Sequence, residues 1–128
     1  MNGNDGKLFE QEGYELMGAA FEVYNELGSG FLEEVYQEAL ERVLIEKQIP
    51  YVAQPRLEVL FRGRPLTKYY VADFLVFGEI VVELKACRAL APEHEAQHIN
   101  ELRATNKRVG YLLNFGAFPK LQWSRRVL

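Results

Sequence analysis

The stretch from residue 72 to residue 85 most constrains how this chain can fold. Nine of its fourteen residues are apolar, and besides Glu79 it carries the charged residues Asp73, Glu83 and Lys85. Two β-type runs, 69–76 and 80–86, flank Phe77-Gly78-Glu79, a sequence typical of a tight hairpin. The "IVVELKA" run is too apolar for a freely exposed strand, so we expect a sheet that is covered on both faces.

A hairpin centred on Gly78 fixes which residues lie opposite one another. It places Asp73 opposite Glu83 and Val71 opposite Lys85. Opposed residues of an antiparallel pair share a face and side chains alternate along a strand, so the three charged residues share one face. Two adjacent carboxylates repel unless a cation compensates, and oxygen ligands suit Mg²⁺ or Mn²⁺. The ordinary alternative is an exposed sheet face with a Lys–carboxylate pair, which contributes little to stability.

Hydrophobic periodicity predicts an α/β domain in the order α-α-β-β-β-α-β-β. The predicted helices cover 11–27, 31–48 and 92–105, the last with Ala96, Ile99 and Leu102 inward. The predicted strands cover 51–61, 69–76, 80–86, 108–114 and 120–127, with an exposed turn at 62–65. Glu33 falls at the rim of the second helix's apolar stripe, from which it could reach the hairpin carboxylates, whereas Glu34 points away. A first-turn glutamate that complements the helix dipole is the plainer interpretation of Glu33.

Composition narrows the class of protein. A chain of 128 residues suits one domain, and we expect residues 1–10 to be a frayed polar leader. One cysteine, Cys87, excludes an internal disulfide and a Cys-based zinc site. The sequence contains no stretch resembling a secretory signal or a membrane span, so we expect a cytoplasmic protein without membrane contact.

Charge is distributed unevenly along the chain. The net charge is -3, but residues 1–50 carry -8 and residues 51–128 carry +5. Such asymmetry either marks a surface for a polyanion or reflects the packing of two complementary halves.

Two motifs together resemble a known family. Gly30-Phe31-Leu32-Glu33-Glu34-Val35-Tyr36 fits Gly-x-x-Glu-x-x-Tyr, and Asp73 followed by Glu83-Leu84-Lys85 fits a split Asp…Glu-x-Lys signature. The chain resembles the GxxExxY family of the PD-(D/E)xK nuclease superfamily from about residue 14 to residue 127. The resemblance implies a restriction-endonuclease-like core, a mixed β-sheet flanked by helices, and a Mg²⁺- or Mn²⁺-dependent phosphodiesterase site.

The same resemblance implies roles for individual residues. Asp73, Glu83 and the Leu84 carbonyl would bind the metal, with Glu33 as a further ligand or water contact, and Lys85 would orient or deprotonate the attacking water. Gln97 resembles a glutamine that some superfamily members place beside the site. In those members a tyrosine follows four residues later, whereas this chain has Glu101.

A second motif, His94-Glu95-Ala96-Gln97-His98, matches the His-Glu-x-x-His pattern of zinc proteases. A catalytic zinc needs a third protein ligand, and no Asp, Glu or His follows Glu101. We therefore expect the two histidines to lie on the helix surface or to line the site.

The leading hypothesis is a metal-dependent nuclease acting on DNA or RNA, with no organic cofactor. The alternative is a binding module that keeps the nuclease fold and recognises nucleic acid or protein without turnover. A third possibility is an interaction subunit whose apolar helix pair forms a homodimer.

Overall fold

The computed structural model describes residues 7–128, and their elements follow the order α-α-β-β-β-β-β-α-β-β. The helices are α1 (Glu10–Leu27), α2 (Glu33–Glu46) and α3 (Pro92–Thr105). The strands are β1 (Tyr51–Ala53), β2 (Arg56–Phe61), β3 (Arg64–Val71), β4 (Phe74–Val76), β5 (Ile80–Lys85), β6 (Val109–Asn114) and β7 (Gln122–Val127). None of the described helices is long and apolar enough to cross a membrane.

A mixed five-stranded sheet in the order β1-β4-β5-β6-β7 organises the molecule. Neighbouring strands are antiparallel except β5 and β6, which run parallel and are connected through α3. This arrangement confirms the predicted α/β class and mixed sheet.

Two more strands precede α3 than the sequence pattern predicted. The run 51–61 divides into β1 and β2, since Gln54 adopts a positive φ of 50° directly before Pro55. The run 69–76 divides at Ala72 and Asp73. As a result Val71 pairs with Arg56 in a separate two-stranded sheet, and the expected pairing of Val71 with Lys85 is wrong.

Both faces of the five-stranded sheet are covered, as the apolar strand sequence predicted. On one face the stripes of α1 and α2 pack against Phe74, Val76, Ile80, Val82 and Leu84. On the other face Val81 packs with Leu57 of β2 and Leu102 of α3. The helix stripes that could have formed a dimer are thus used within the chain.

The predicted leader is only partly covered by the described residues, since residues 1–6 lie outside them. Leu8 and Phe9 pack against the main core, and the Arg125 guanidinium donates a hydrogen bond to the Leu8 carbonyl. The expectation that the chain is frayed as far as residue 10 is therefore wrong for this part, because two apolar side chains have a core to join.

Candidate active site

The β4–β5 hairpin has the predicted register. Phe74 pairs with Val82 and Val76 with Ile80, around a loop in which Phe77 and Gly78 have positive φ. Asp73 immediately precedes β4, and its Oδ2 accepts a hydrogen bond of 2.6 Å from the backbone N–H of Leu84. The carboxylate of Asp73 therefore occupies the place that a further β4 residue would take beside β5.

The backbone of β5 orients a second oxygen toward Asp73. The Lys85 carbonyl accepts a hydrogen bond of 2.9 Å from the N–H of Phe115, on the β6 side of the strand. Backbone groups of successive strand residues point to opposite sides, so the Leu84 carbonyl lies on the same side as Asp73. The Leu84 carbonyl and the Asp73 carboxylate thus lie on the same side of β5.

Glu83 lies on the face of β5 that α3 covers. Burial raises its pKa to about 10, with further contributions from hydrogen bonding to the Glu101 carboxyl and from the negative charges of Glu101 and Asp73. A carboxyl group with these neighbours holds a proton at neutral pH unless a cation replaces it.

Glu101 completes a cluster of three carboxyl groups. Its side chain is only 5% exposed, and its Oε1 has no hydrogen-bond partner. Burial and the charge of Asp73 raise the pKa of Glu101, while Glu83 and Lys85 act in the opposite direction. The buried oxygen without a partner is an acceptor available to a cation or a proton.

Sequence reasoning noted Glu101 only as a departure from a glutamine–tyrosine pattern. Its position four residues after Gln97, on the same helix face, was a signal that could have included it. The expected inward face of α3 is partly wrong, because Ala96 is exposed and Ile99 is only half-buried, whereas His98, Glu101, Leu102 and Thr105 are buried. A helix that packs over charged strand residues turns polar side chains inward, so apolar periodicity does not identify its buried face.

A cavity of about 370 Å³ lies between β5 and α3. It is lined by Tyr70, Glu83, Lys85, His94, Gln97, His98, Asn100, Glu101 and Leu112. The structure thus brings Glu83, Lys85 and Gln97 to one cavity. Asp73 does not line it but adjoins it through its contacts with Leu84 and Glu83.

Glu33 is exposed and does not line this cavity. One turn along the same face of α2, the Gln37 amide donates a hydrogen bond of 3.2 Å to the Asp73 carbonyl. That face of α2 therefore points toward Asp73, with Glu33 one helical turn away.

Comparisons with known proteins identify the superfamily and the fold. The sequence model of the PD-(D/E)XK nuclease superfamily matches residues 10–126. The chain belongs to this superfamily. No curated protein sequence matches the chain significantly.

Two solved structures are similar to this chain in fold. The crystal structure of SSO0001 is 18% identical, with a TM-score of 0.56 over 73% of this chain and 48% of that one. The alkaline exonuclease LHK-Exo from Laribacter hongkongensis is 14% identical, with a TM-score of 0.51 over 73% of this chain and 55% of that one. This chain therefore aligns with about half the length of each structure.

The two histidines of the zinc-protease-like motif have other roles within the superfamily fold. The N–H of Ala91 donates a hydrogen bond of 3.0 Å to Nδ1 of His94, so His94 caps the start of α3. His98 is buried against Gly110, where a Cβ would lie 2.6 Å from the imidazole ring. Burial lowers the pKa of His98 to about 4. Both residues line the cavity between β5 and α3.

Tyr36 of the glycine-led motif is a core residue. Its ring stacks on Phe115 at a centroid distance of 4.8 Å. Its hydroxyl donates a hydrogen bond of 2.5 Å to the Gly28 carbonyl and accepts one of 3.2 Å from the N–H of Phe31. The tyrosine thus fixes the α1–α2 loop that leads into Glu33.

The donor set suits a hard divalent cation, although within residues 7–128 no three His, Cys, Asp or Glu side chains converge as a preformed metal site. Among the described residues, Oε1 of Glu101 has no hydrogen-bond partner and the pKa of Glu83 is raised, and both observations indicate that no nearby cation fully compensates these carboxyl groups. Oxygen ligands of this kind are those that Mg²⁺ and Mn²⁺ prefer.

Proposed function

We propose that this protein is a metal-dependent nuclease of the GxxExxY family that hydrolyses phosphodiester bonds of DNA or RNA. The observation that carries the proposal is the cluster of Asp73, Glu83 and Glu101 beside Lys85, at a cavity between β5 and α3. Superfamily membership supports the reaction class, and the hydrogen-bonded Tyr36 supports the narrower family by giving its motif a structural role.

Asp73, Glu83 and the Leu84 carbonyl would hold Mg²⁺ or Mn²⁺, with Glu33 contributing from α2 and Glu101 from α3. The bound ion would supply charge neutralisation at the phosphate and a lowered pKa for a water molecule. Asp73 would keep its orientation through the Leu84 N–H.

Lys85 and Gln97 would act on the substrate side of the cavity that both residues line. The Lys85 ammonium offsets negative charge on the scissile phosphate and orients the attacking water. The Gln97 amide donates a hydrogen bond to a phosphate oxygen or to that water. Hydrolysis adds water across the P–O bond, so the leaving oxygen takes up a proton as the bond breaks.

A cleavage panel tests this proposal. It compares single-stranded, duplex and branched DNA and RNA in Mg²⁺, Mn²⁺ or EDTA, with the wild type beside Asp73→Ala. Glu34→Ala is the matched control, because it removes an exposed carboxylate from α2. We expect cleavage that requires a divalent cation, is lost in Asp73→Ala and persists in Glu34→Ala. Binding without cleavage on every substrate would instead favour a non-catalytic nucleic-acid-binding module.

A further inference from the structure

The β2–β3 hairpin forms a second, two-stranded sheet. Every residue of β3 is exposed, which is unusual for a strand of eight residues in a small domain. Six large apolar side chains are exposed on this hairpin: Leu60, Phe61, Leu66, Tyr69, Tyr70 and Val71. An exposed apolar patch of this kind indicates a contact surface.

The hairpin is also basic. Residues 56–71 include four basic side chains and one acidic one, a net charge of +3 in a chain whose net charge is -3. The Arg56 guanidinium lies 4.8 Å from the centre of the Tyr69 ring, and that of Arg62 lies 5.1 Å from the centre of the Phe61 ring. Interleaved cations and aromatic rings are the composition of surfaces that bind unpaired nucleotides.

The base of the hairpin is fixed next to the carboxylate cluster. Leu57 is buried with Ala72, Val81 and Leu102, which anchors the hairpin to β5 and α3. The N–H of Ala72 donates a hydrogen bond of 3.3 Å to the Pro55 carbonyl, and the N–H of Gln54 donates one of 2.9 Å to the Asp73 carbonyl. The two strands therefore enter and leave the hairpin at Asp73.

Tyr70 connects the exposed hairpin with the cavity. It pairs directly with Leu57 and so points to the α3 side of the hairpin. There its side chain remains exposed and also lines the cavity that holds Glu83 and Lys85. A ring in this position can stack on a nucleotide base whose phosphate lies in the cavity.

We propose that the β2–β3 hairpin is the binding arm for a single-stranded nucleic acid, with Tyr70 stacking on a base at the mouth of the cavity. This inference rests on the proposed nuclease function and specifies its substrate. Bases inside a duplex are stacked on both faces, whereas each unpaired base leaves a face free for Tyr70, so the aromatic surface favours an unpaired strand. The basic side chains of the hairpin contact the phosphates of that strand.

Fluorescence anisotropy tests the proposal, with a labelled single strand and a blunt duplex of the same sequence, in Ca²⁺ to prevent cleavage. The variants are Tyr70→Ala, Tyr70→Phe and the control Tyr14→Ala, which removes an exposed aromatic ring from α1. We expect Tyr70→Ala to raise the Kd for the single strand about tenfold and to change duplex binding little, since stacking on one base accounts for such a factor. Tyr70→Phe and Tyr14→Ala should bind like the wild type.

Thermal unfolding of each variant shows whether a loss of binding reflects a loss of fold. Tyr70→Phe retains the aromatic ring and so provides a folded comparison for Tyr70→Ala. Weaker single-strand binding of folded Tyr70→Ala, with Tyr70→Phe intact, supports the proposal. Preferential binding of the duplex, or unchanged single-strand binding by Tyr70→Ala, overturns the proposal that the β2–β3 hairpin binds a single strand. If cleavage still depends on Asp73, the nuclease function stands. Absence of both binding and cleavage overturns both.

Discussion

The Asp73 carboxylate accepts a 2.6 Å hydrogen bond from the backbone N–H of Leu84, immediately after the last backbone pairing of β4 with β5. The bond holds the Asp73 side chain in line with β5, beside Glu83. An amide oxygen can accept the same bond without carrying a charge, so replacing Asp73 by Asn separates the contribution of the hydrogen bond from that of the negative charge.

We therefore expect Asp73→Asn and Asp73→Ala to differ in stability but not in activity. Both should lose cleavage by orders of magnitude, since neither supplies an anionic ligand. Asp73→Ala should also lower the free energy of unfolding by about 1–3 kcal/mol, because the Leu84 N–H loses its partner. Urea unfolding and a cleavage assay in Mg²⁺ measure the two effects, and wild-type turnover by Asp73→Asn would contradict the assigned role.

The raised pKa of Glu83 makes the metal-free protein less stable as pH rises. Between the ordinary value of 4.5 and a folded pKa of about 10, the folded state holds a proton that the unfolded state has released. Stability is therefore lost as pH rises through this window. Glu83→Gln mimics the protonated form, so it should be more stable than the wild type at pH 8 in EDTA.

Mg²⁺ should stabilise the wild type by mass action and Glu83→Gln much less. Unfolding by urea from pH 5 to pH 9, with EDTA or with Mg²⁺, measures both effects. Glu34→Gln is the control, because its exposed side chain lies outside the cavity. If millimolar Mg²⁺ and Mn²⁺ do not change the stability of the wild type, the proposal of a metal site is contradicted.

The hairpin of Asp73 and Glu83 could be predicted because a period-two pattern and one glycine determine its register. The separate β2–β3 sheet could not be predicted, since the break at Ala72-Asp73 depends on a side chain replacing backbone pairing. Arg62 and Gly63 both have positive φ, which matches the two-residue turn of a twisted hairpin. The predicted turn at 62–65 was therefore in the right place but too long, as Arg64 already pairs with Phe61.

The alternation along the strands indicates candidate-site residues directly, whereas on α3 Gln97 was indicated only by the family resemblance and Glu101 was not assigned to the site. Lys85 and Glu83 follow from the alternation along β5, whereas Glu101 and His98 lie on a helix whose buried side is polar. Burial of such residues depends on what the helix packs against, and that requires knowledge of the tertiary structure.

His98 should produce a pH dependence opposite to that of Glu83. Its pKa is lowered to about 4, so between pH 4 and 6.5 the unfolded state binds a proton that the folded state rejects. This contribution is complete above pH 6.5, is lost as pH falls toward 4, and amounts to about 3 kcal/mol over the whole window. Below pH 6.5 the stability of Glu83→Gln should fall as the pH is lowered, whereas the stability of His98→Gln should lack this fall. Equal slopes in the two variants would contradict this assignment.

Tyr36→Phe should show whether the tyrosine of the glycine-led motif contributes to stability or to catalysis. The change removes the hydrogen bonds to Gly28 and Phe31 but leaves the ring stacked on Phe115. We expect the free energy of unfolding to fall by about 1–2 kcal/mol and kcat to stay unchanged, because the hydroxyl does not line the cavity. A large fall in kcat of the folded variant would show that the tyrosine acts in catalysis.

Charge reversal at the tip of the β2–β3 hairpin should weaken nucleic-acid binding without affecting the fold. Arg62 and Arg64 are exposed at the turn, so Arg62→Glu and Arg64→Glu should each unfold like the wild type. Each phosphate contact that is lost should reduce the slope of log K against log salt concentration by about 0.7 for a single strand. Arg42→Glu makes the same change of charge on α2, where Arg42 pairs with Glu38 at 3.0 Å, and should leave the slope unchanged. Anisotropy across a salt series in Ca²⁺ measures the slopes. Equal effects of Arg42→Glu and Arg64→Glu would indicate that binding responds to net charge alone, and that the hairpin makes no phosphate contact of its own.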